Sequence, residues 1–209
     1  MGKGIFITCE GLDGSGKSTQ INLIYDFFIK MGYKVVLTRE PGGTVISEKI
    51  RDVLLDVSNL KMGQLTEMLL YAASRAQLVF EVVKPAIEEG KIVICDRFVD
   101  SSYVYQGFGR GIDLATIIRI NEIAMDSIRP DITFFFDVEP EVALGRIKAQ
   151  DKDRIENESI DFHRRVYKGY LALAEKYPER IKVINGNRKV DDIFSDVKTY
   201  LVKLTGACK

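Results

Sequence analysis

The chain is 209 residues long, 46% hydrophobic and 29% charged, with Lys+Arg and Asp+Glu balanced at 30 each. Such proportions suit a globular protein with an ample core, and the length suits one α/β domain or, less often, one domain with a large insertion. The zero formal net charge excludes a whole-domain basic field for duplex DNA or RNA, and leaves room for local Arg and Lys clusters around a small anion. Cys9 and Cys95 end apolar runs and Cys208 lies in the C-terminal tail, so buried thiols are expected rather than a disulfide framework. No C-x-x-C pair supports a metal site, and the single histidine, His163, is expected to be an ordinary, partly exposed residue. Phe6 stands where a myristoylation signal needs Ser or Thr, no charged-then-apolar leader is seen, and no apolar run approaches transmembrane length. The expected location is the cytoplasm.

Ile5 to Cys9 is a short apolar run that suits a buried parallel strand. Gly11-Leu12-Asp13-Gly14-Ser15-Gly16-Lys17-Ser18 follows at once and fits G-x-x-x-x-G-K-[ST]. Ile21, Ile24, Tyr25 and Phe28 then recur at helical spacing. Strand, glycine loop and helix in this order make an anion cradle, with backbone N–H groups and the helix N-terminus supplying partial positive charge. Thr19 completes the stretch. Lys17 is a solvent-facing charge able to reach the β- and γ-phosphates, and the Ser18 hydroxyl can ligate magnesium. A nucleoside triphosphate site is expected here.

Gly32 caps the first helix, and Lys34 to Thr38 forms a second strand closing on Arg39-Glu40-Pro41-Gly42-Gly43. Loops at strand C-terminal ends build the ligand crevice of an open parallel sheet. Arg39 and Glu40 are thus candidates for substrate contact or, equally, a surface ion pair. Thr44 caps a helix to about Leu55 that contains Arg51. A long helix follows, with Leu65, Met68, Leu69, Ala72, Ala76, Val79, Phe80 and Val83 as its core stripe. Tyr71 and Arg75, at i and i+4, can meet one ligand, a ring for stacking and a guanidinium for a carbonyl. Taken alone, such a pair is more often packing plus a solvated charge.

Gly90 stops that helix, and Lys91 to Asp96 is a third strand whose terminal Asp96 resembles a magnesium-supporting Walker-B carboxylate. Phe98 to Gly111, carrying Ser101, Ser102, Tyr103, Tyr105, Gln106 and Arg110, reads as a functional loop or glycine-broken helix rather than core. An amphipathic helix spans Asp113 to about Ile128, and a fourth strand, Ile132 to Phe136, ends at Asp137. Pro140 sits in the first turn of the next helix. The charged run Arg146 to Arg154 is a solvated face or, more sharply, a basic lid at about residues 146–156. A helix carrying His163, Val166, Tyr167, Tyr170, Leu171 and Ala174 follows, then a fifth strand, Ile181 to Ile184, and a closing helix with Ile193, Phe194, Val197, Tyr200, Leu201 and Leu204 at helical spacing. Five strands alternating with helices make one three-layer α/β domain over residues 1–209.

Taken together, Glu10-Gly-Leu-Asp-Gly-Ser-Gly-Lys-Ser-Thr19, Thr38-Arg-Glu-Pro-Gly-Gly-Thr44, Tyr71-Ala-Ala-Ser-Arg-Ala-Gln77, Asp96-Arg-Phe-Val-Asp-Ser-Ser102, Arg129-Pro-Asp-Ile-Thr133 and Asp153-Arg-Ile-Glu156 resemble the thymidylate kinase family nearly end to end. The resemblance implies the three-layer P-loop nucleoside monophosphate kinase fold and ATP-dependent phosphorylation of dTMP to dTDP with Mg2+. It also implies a homodimer. By the same resemblance Tyr71 stacks on thymine, Arg75 bonds its 4-carbonyl, Ser102 faces the base edge and Tyr105 stands where a ribose 2′-hydroxyl would project. Asp13 contacts the sugar hydroxyl or the transferring centre, while Arg97, with Arg51 and Arg39, holds the acceptor phosphate. Some members carry an arginine inside the phosphate loop, where this chain has Gly14 and Ser15. Others read Arg-Gly shortly before Asp-Arg, where it has Gln150-Asp151. Of the remaining cations Arg146, Lys148, Lys152 and Arg154, the catalytic charge is therefore expected from Arg146 and Arg154, with Lys152 as a lesser, shifted substitute. Another deoxynucleotide or deoxynucleoside kinase of the same fold stays open. A nucleotide-dependent switch is opposed by the missing N-K-x-D motif.

Overall fold

The computed structural model describes residues 4–147 and 153–206. Its strands are β1 (Ile5–Glu10), β2 (Val35–Arg39), β3 (Ile92–Asp96), β4 (Ile132–Asp137) and β5 (Ile181–Asn185). They form one parallel sheet in the order β2-β3-β1-β4-β5. The strands are short and rich in Ile, Val and Phe because both faces are covered.

Alternation along β1 divides the core. Phe6, with Val93, Cys95 and Phe135 of neighbouring strands, packs on one side of the sheet. Ile7 and Cys9, with Ile94, Phe134 and Phe136, pack on the other. There they meet Ile21, Ile24 and Phe28 of α1 (Lys17–Lys30) and Ile193, Val197 and Leu201 of α9 (Val190–Thr205). The opposite side is covered by α3 (Gln64–Leu78), α6 (Leu114–Met125) and α8 (Ile160–Lys176), so three layers result. Cys9 and Cys95 are buried free thiols, while Cys208 lies outside the described residues.

The remaining helices are α2 (Val45–Leu55), α4 (Lys84–Glu88), α5 (Val99–Ser102) and α7 (Pro140–Gly145). Thr44 caps α2, Asp113 caps α6 and Ser159 caps α8, each accepting the backbone N–H three residues on. The expected helix over 113–128 stops at Met125, because Asp126 and Ser127 both take left-handed backbone angles.

The long helix after Gly63 forms, and a π-helical turn at Val79–Val83 joins α3 to α4. That turn shifts the phase only for residues after Leu78, among them Phe80. Met68, Ala72, Val79 and Val83 are buried, whereas Leu65, Leu69 and Phe80 are exposed instead of lying in the core. Arg75, 1% exposed, occupies the buried face in their place. A second π-helical segment, Tyr103–Gly109, continues α5, so of the two expected forms the helical one occurs, but Phe98, Val99, Tyr103, Val104 and Tyr105 pack in the core instead of outside it. His163 is 2% exposed against the expected partial exposure, since its neighbours Phe162 and Val166 pull that face of α8 into the core.

Candidate active site

β1 lies between β3 and β4, so the loop after it opens at the carboxyl edge of the sheet, where such folds bind ligands. Gly16 has φ 90° and stands as N-cap of α1. A Cβ on Gly14 would lie 2.0 Å from the Ala143 carbonyl oxygen, so α7 can abut the loop only because that residue is glycine. Ser18 and Thr19 are exposed in the first turn of α1.

Lys17 is 5% exposed, which corrects the expectation of a solvent-facing charge. Its Nζ donates to the Gly11 and Leu12 carbonyls at 3.0 Å each and lies 3.5 Å from Asp13 Oδ1. Burial, helped by nearby Arg97, lowers its pKa, and Asp13 opposes this. Burial pushes the Asp13 carboxyl upward, but Arg97 and Lys17 overcome it and hold the group well below its ordinary value.

Arg97 follows β3 with φ 65°, a strained conformation for a side-chain-bearing residue. The strain is held by the buried carboxylate of Glu10 at the end of β1. Glu10 accepts from Phe98 N at 2.8 Å, Ser101 Oγ at 2.6 Å and Tyr170 Oη at 2.8 Å. The Arg97 guanidinium then donates to Asp13 Oδ1 at 2.7 Å and lies 5.2 Å over the Tyr105 ring.

These groups border a first cavity enclosing about 620 Å³, its open mouth included, a size that fits a nucleotide. Asp13, Arg51, Tyr71, Arg75, Arg97, Ser102 and Tyr105 all line it, joined by Glu40, Gln106, Asp153, Ile155 and Glu156. Arg51 donates to the Pro41 carbonyl at 2.8 Å. Arg75 is more committed than expected. Its Nη1 serves Ser102 Oγ at 3.0 Å and Asn121 Oδ1, and its Nη2 serves Glu40 Oε2 at 2.5 Å and the Phe98 carbonyl at 3.1 Å. Only Nε lacks a partner. Tyr105 is 7% exposed, with its hydroxyl buried and without a hydrogen-bond partner.

Arg39 lies outside that cavity. It pairs with Glu48 at 2.9 Å on the surface and borders a second cavity with Ser18, Thr38 and Asp96. Glu40 instead turns inward to Arg75, so the expected Arg39–Glu40 pair does not form. Asp96 Oδ1 and Thr38 Oγ1 are buried there without partners. Ser18 and Asp96 thus share one oxygen-lined space, although no cluster of three His, Cys, Asp or Glu occurs among the described residues.

Of the two arginines expected to supply the catalytic cation, Arg146 donates to the Gly14 carbonyl at 3.1 Å and to Asn187 Oδ1 at 3.3 Å, beside the phosphate loop. Arg154 does not join it. It is 9% exposed, paired with Glu67 at 2.7 Å and bonded to the Leu54 carbonyl at 2.8 Å, and is spent as an internal tie. Asp153 caps a short turn at Ile155 and Glu156 rather than α8. Lys148, Gln150, Asp151 and Lys152 lie outside the described residues.

Asn121 was not named from the sequence, and Glu10, Ser101 and Tyr170 were named there only as members of longer stretches, with no role at the site. Only Glu10 left a signal there, a charge closing an otherwise apolar strand.

The thymidylate kinase family model matches residues 9–197. The chain is 50% identical over 204 residues to the thymidylate kinase of Clostridium novyi (strain NT), covering 96% of this chain and 100% of that protein. It is 48% identical over 203 residues to the thymidylate kinase of Lactobacillus acidophilus, covering 95% and 94%. The crystal structure of thymidylate kinase from Ehrlichia chaffeensis superposes with a TM-score of 0.79 at 35% identity, over 96% of this chain and 99% of that one.

Proposed function

The chain belongs to the thymidylate kinase family and is a dTMP kinase, forming dTDP, and on that premise we propose that ATP binds over the phosphate loop while dTMP fills the first cavity. One observation carries this placement. Asp13, a phosphate-loop residue, and Arg97 pair at 2.7 Å while both line the cavity, so a phosphate acceptor there lies against the donor loop.

The chemistry needs positioning and charge rather than a strong base, because the acceptor phosphate is already a nucleophile. The amide groups of Gly11 to Thr19 and the start of α1 cradle the ATP phosphates, and Lys17 offsets their negative charge. Arg146, beside Gly14 and Asn187, is the cation for the ATP side. Arg97 and Arg51 hold the dTMP phosphate, and Asp13 fixes Arg97. Tyr71 stacks on thymine. With its Nη donors bonded inside the protein, Arg75 offers Nε–H to the base carbonyl, beside Ser102. Tyr105 occupies the space of a ribose 2′-hydroxyl and so favours deoxyribose.

Ser18 and Asp96 fit a hard divalent cation, since both are oxygen donors on one cavity and Asp96 Oδ1 lacks a partner. Mg2+ is the proposed ion, and when bound it neutralises charge on the transferring phosphates. The whole chain, 1–209, is proposed as one P-loop kinase domain with a lid at about 146–156 working in the cytoplasm, where ATP is available. Leu65, Leu69 and Phe80, exposed along one helical run, support pairing with a second copy of the chain as a homodimer. No helix among the described residues is long and apolar enough to cross a membrane.

An ADP-release assay across nucleoside monophosphates tests the reading. Efficient turnover is expected with dTMP alone, and equal rates with another monophosphate would move the assignment to a sister kinase.

A further inference from the structure

Glu67 is 1% exposed, lies outside the first cavity and holds more partners than a packing role needs. Its Oε1 accepts from Gln106 Nε2 and Arg110 Nε, both at 3.1 Å. Its Oε2 accepts from Arg110 Nη2 at 3.0 Å and pairs with Arg154 Nη2 at 2.7 Å. The three partners come from two distant stretches of chain, and each stretch is a wall of the cavity.

Glu67 itself sits on α3 one turn before Tyr71, the helix that also carries Arg75. Gln106 belongs to the π-helical segment with Tyr105. Arg154 stands between Asp153 and Ile155, which line the third wall with Glu156. Arg154 is also fastened to the end of α2, through the Leu54 carbonyl at 2.8 Å and its own N–H to the Leu55 carbonyl at 3.2 Å. Leu55 lines the same cavity. A buried ion cluster adds little stability over an apolar one of equal volume, and in some proteins such a cluster instead sets the register between the elements it joins.

We propose that Glu67 is a positioning residue for the acceptor nucleotide, acting through Gln106, Arg110 and Arg154 to hold three walls of the cavity at one separation. The inference rests on the reading of the first cavity as the dTMP site. A carboxylate is suited to the task because it accepts from several donors at once, while an amide at the same place offers a single acceptor oxygen. Arg110 is steadied from its far side by Glu158 at 2.5 Å and by the Phe162 ring at 4.7 Å. The cluster therefore has a fixed outer edge, and displacement of Glu67 falls on the cavity side.

The test measures equilibrium dTMP binding and the Michaelis constants for dTMP and ATP in Glu67→Gln and Arg154→Met. Both variants are expected to weaken dTMP binding at least tenfold, with the ATP constant within twofold of the parent. The double variant is expected to be no weaker than the worse single one, since both break the same tie. Arg154→Met leaves the Glu67–Arg110 pair intact, so it decides the matter alone if Glu67→Gln fails to fold. Unchanged dTMP binding in Arg154→Met, or equal losses for dTMP and ATP, overturns the positioning role. Failure of the parent protein to bind dTMP overturns the reading of the cavity instead, and this inference with it.

Discussion

Arg97 Nη2 lies 2.7 Å from Asp13 Oδ1, joining the residue after β3 to the middle of the phosphate loop across the mouth of the first cavity. Asp13→Asn keeps the shape and removes the charge that holds Arg97. Turnover at saturating dTMP is expected to fall at least tenfold, about 1.4 kcal/mol of transition-state stabilisation. Steady-state kinetics check this, and an unchanged kcat would mean that the pair only packs.

Lys17→Ala removes the loop's own cation. Phosphoryl transfer is expected to be lost, measured as ADP formation. Because Lys17 is buried and bonded to the Gly11 and Leu12 carbonyls, the variant also leaves acceptors unmet and costs about 1–3 kcal/mol of stability. Thermal denaturation separates the two effects, and a folded variant with near-parent turnover would contradict the role of Lys17.

Tyr105→Ala opens space beneath Arg97, whose guanidinium lies 5.2 Å above the ring. The ratio of activity on ribonucleoside monophosphates to activity on dTMP is expected to rise. An unchanged ratio in parallel assays would place the origin of deoxyribose preference elsewhere.

Burial pushes the Glu40 carboxyl up to about 7 in spite of Arg75, above the value of about 4.3 in an unfolded chain. Folding therefore takes up a proton between those values. The stability this group contributes is fully present below about pH 4.3 and is lost as pH rises to about 7. Glu40→Gln cannot titrate, so the Tm of the parent minus that of the variant is expected to fall from about pH 5 to about pH 8. A difference that grows with pH would show that the Arg75 ion pair outweighs burial.

The sheet and phosphate loop were legible because their signals are local: five apolar runs, and a glycine pattern between a strand and a helix. Tyr71 and Arg75 were legible by i, i+4 spacing, which brings both to the cavity. The fates of individual charges were not, because partners far along the chain set them. Arg154 was expected at the phosphates, and Glu67, 87 positions earlier by residue number, holds it elsewhere. Lys17 was expected in solvent, but its Nζ folds back onto two carbonyls of its own loop. The exposure of Phe80 escaped the periodic pattern because a π-helical turn shifts the apolar phase, and that of Leu65 and Leu69 because the inner face of α3 is taken by Glu67, Ser74 and Arg75 beside Met68 and Ala72.

Direct transfer from the phosphate loop to a nucleotide in the first cavity is followed most plainly with ATP labelled at its γ-phosphoryl group. In the presence of dTMP the label is expected in dTDP, with little in inorganic phosphate and none on the protein, and release without dTMP should be slow. Label appearing in inorganic phosphate at the same rate with or without dTMP would contradict the account.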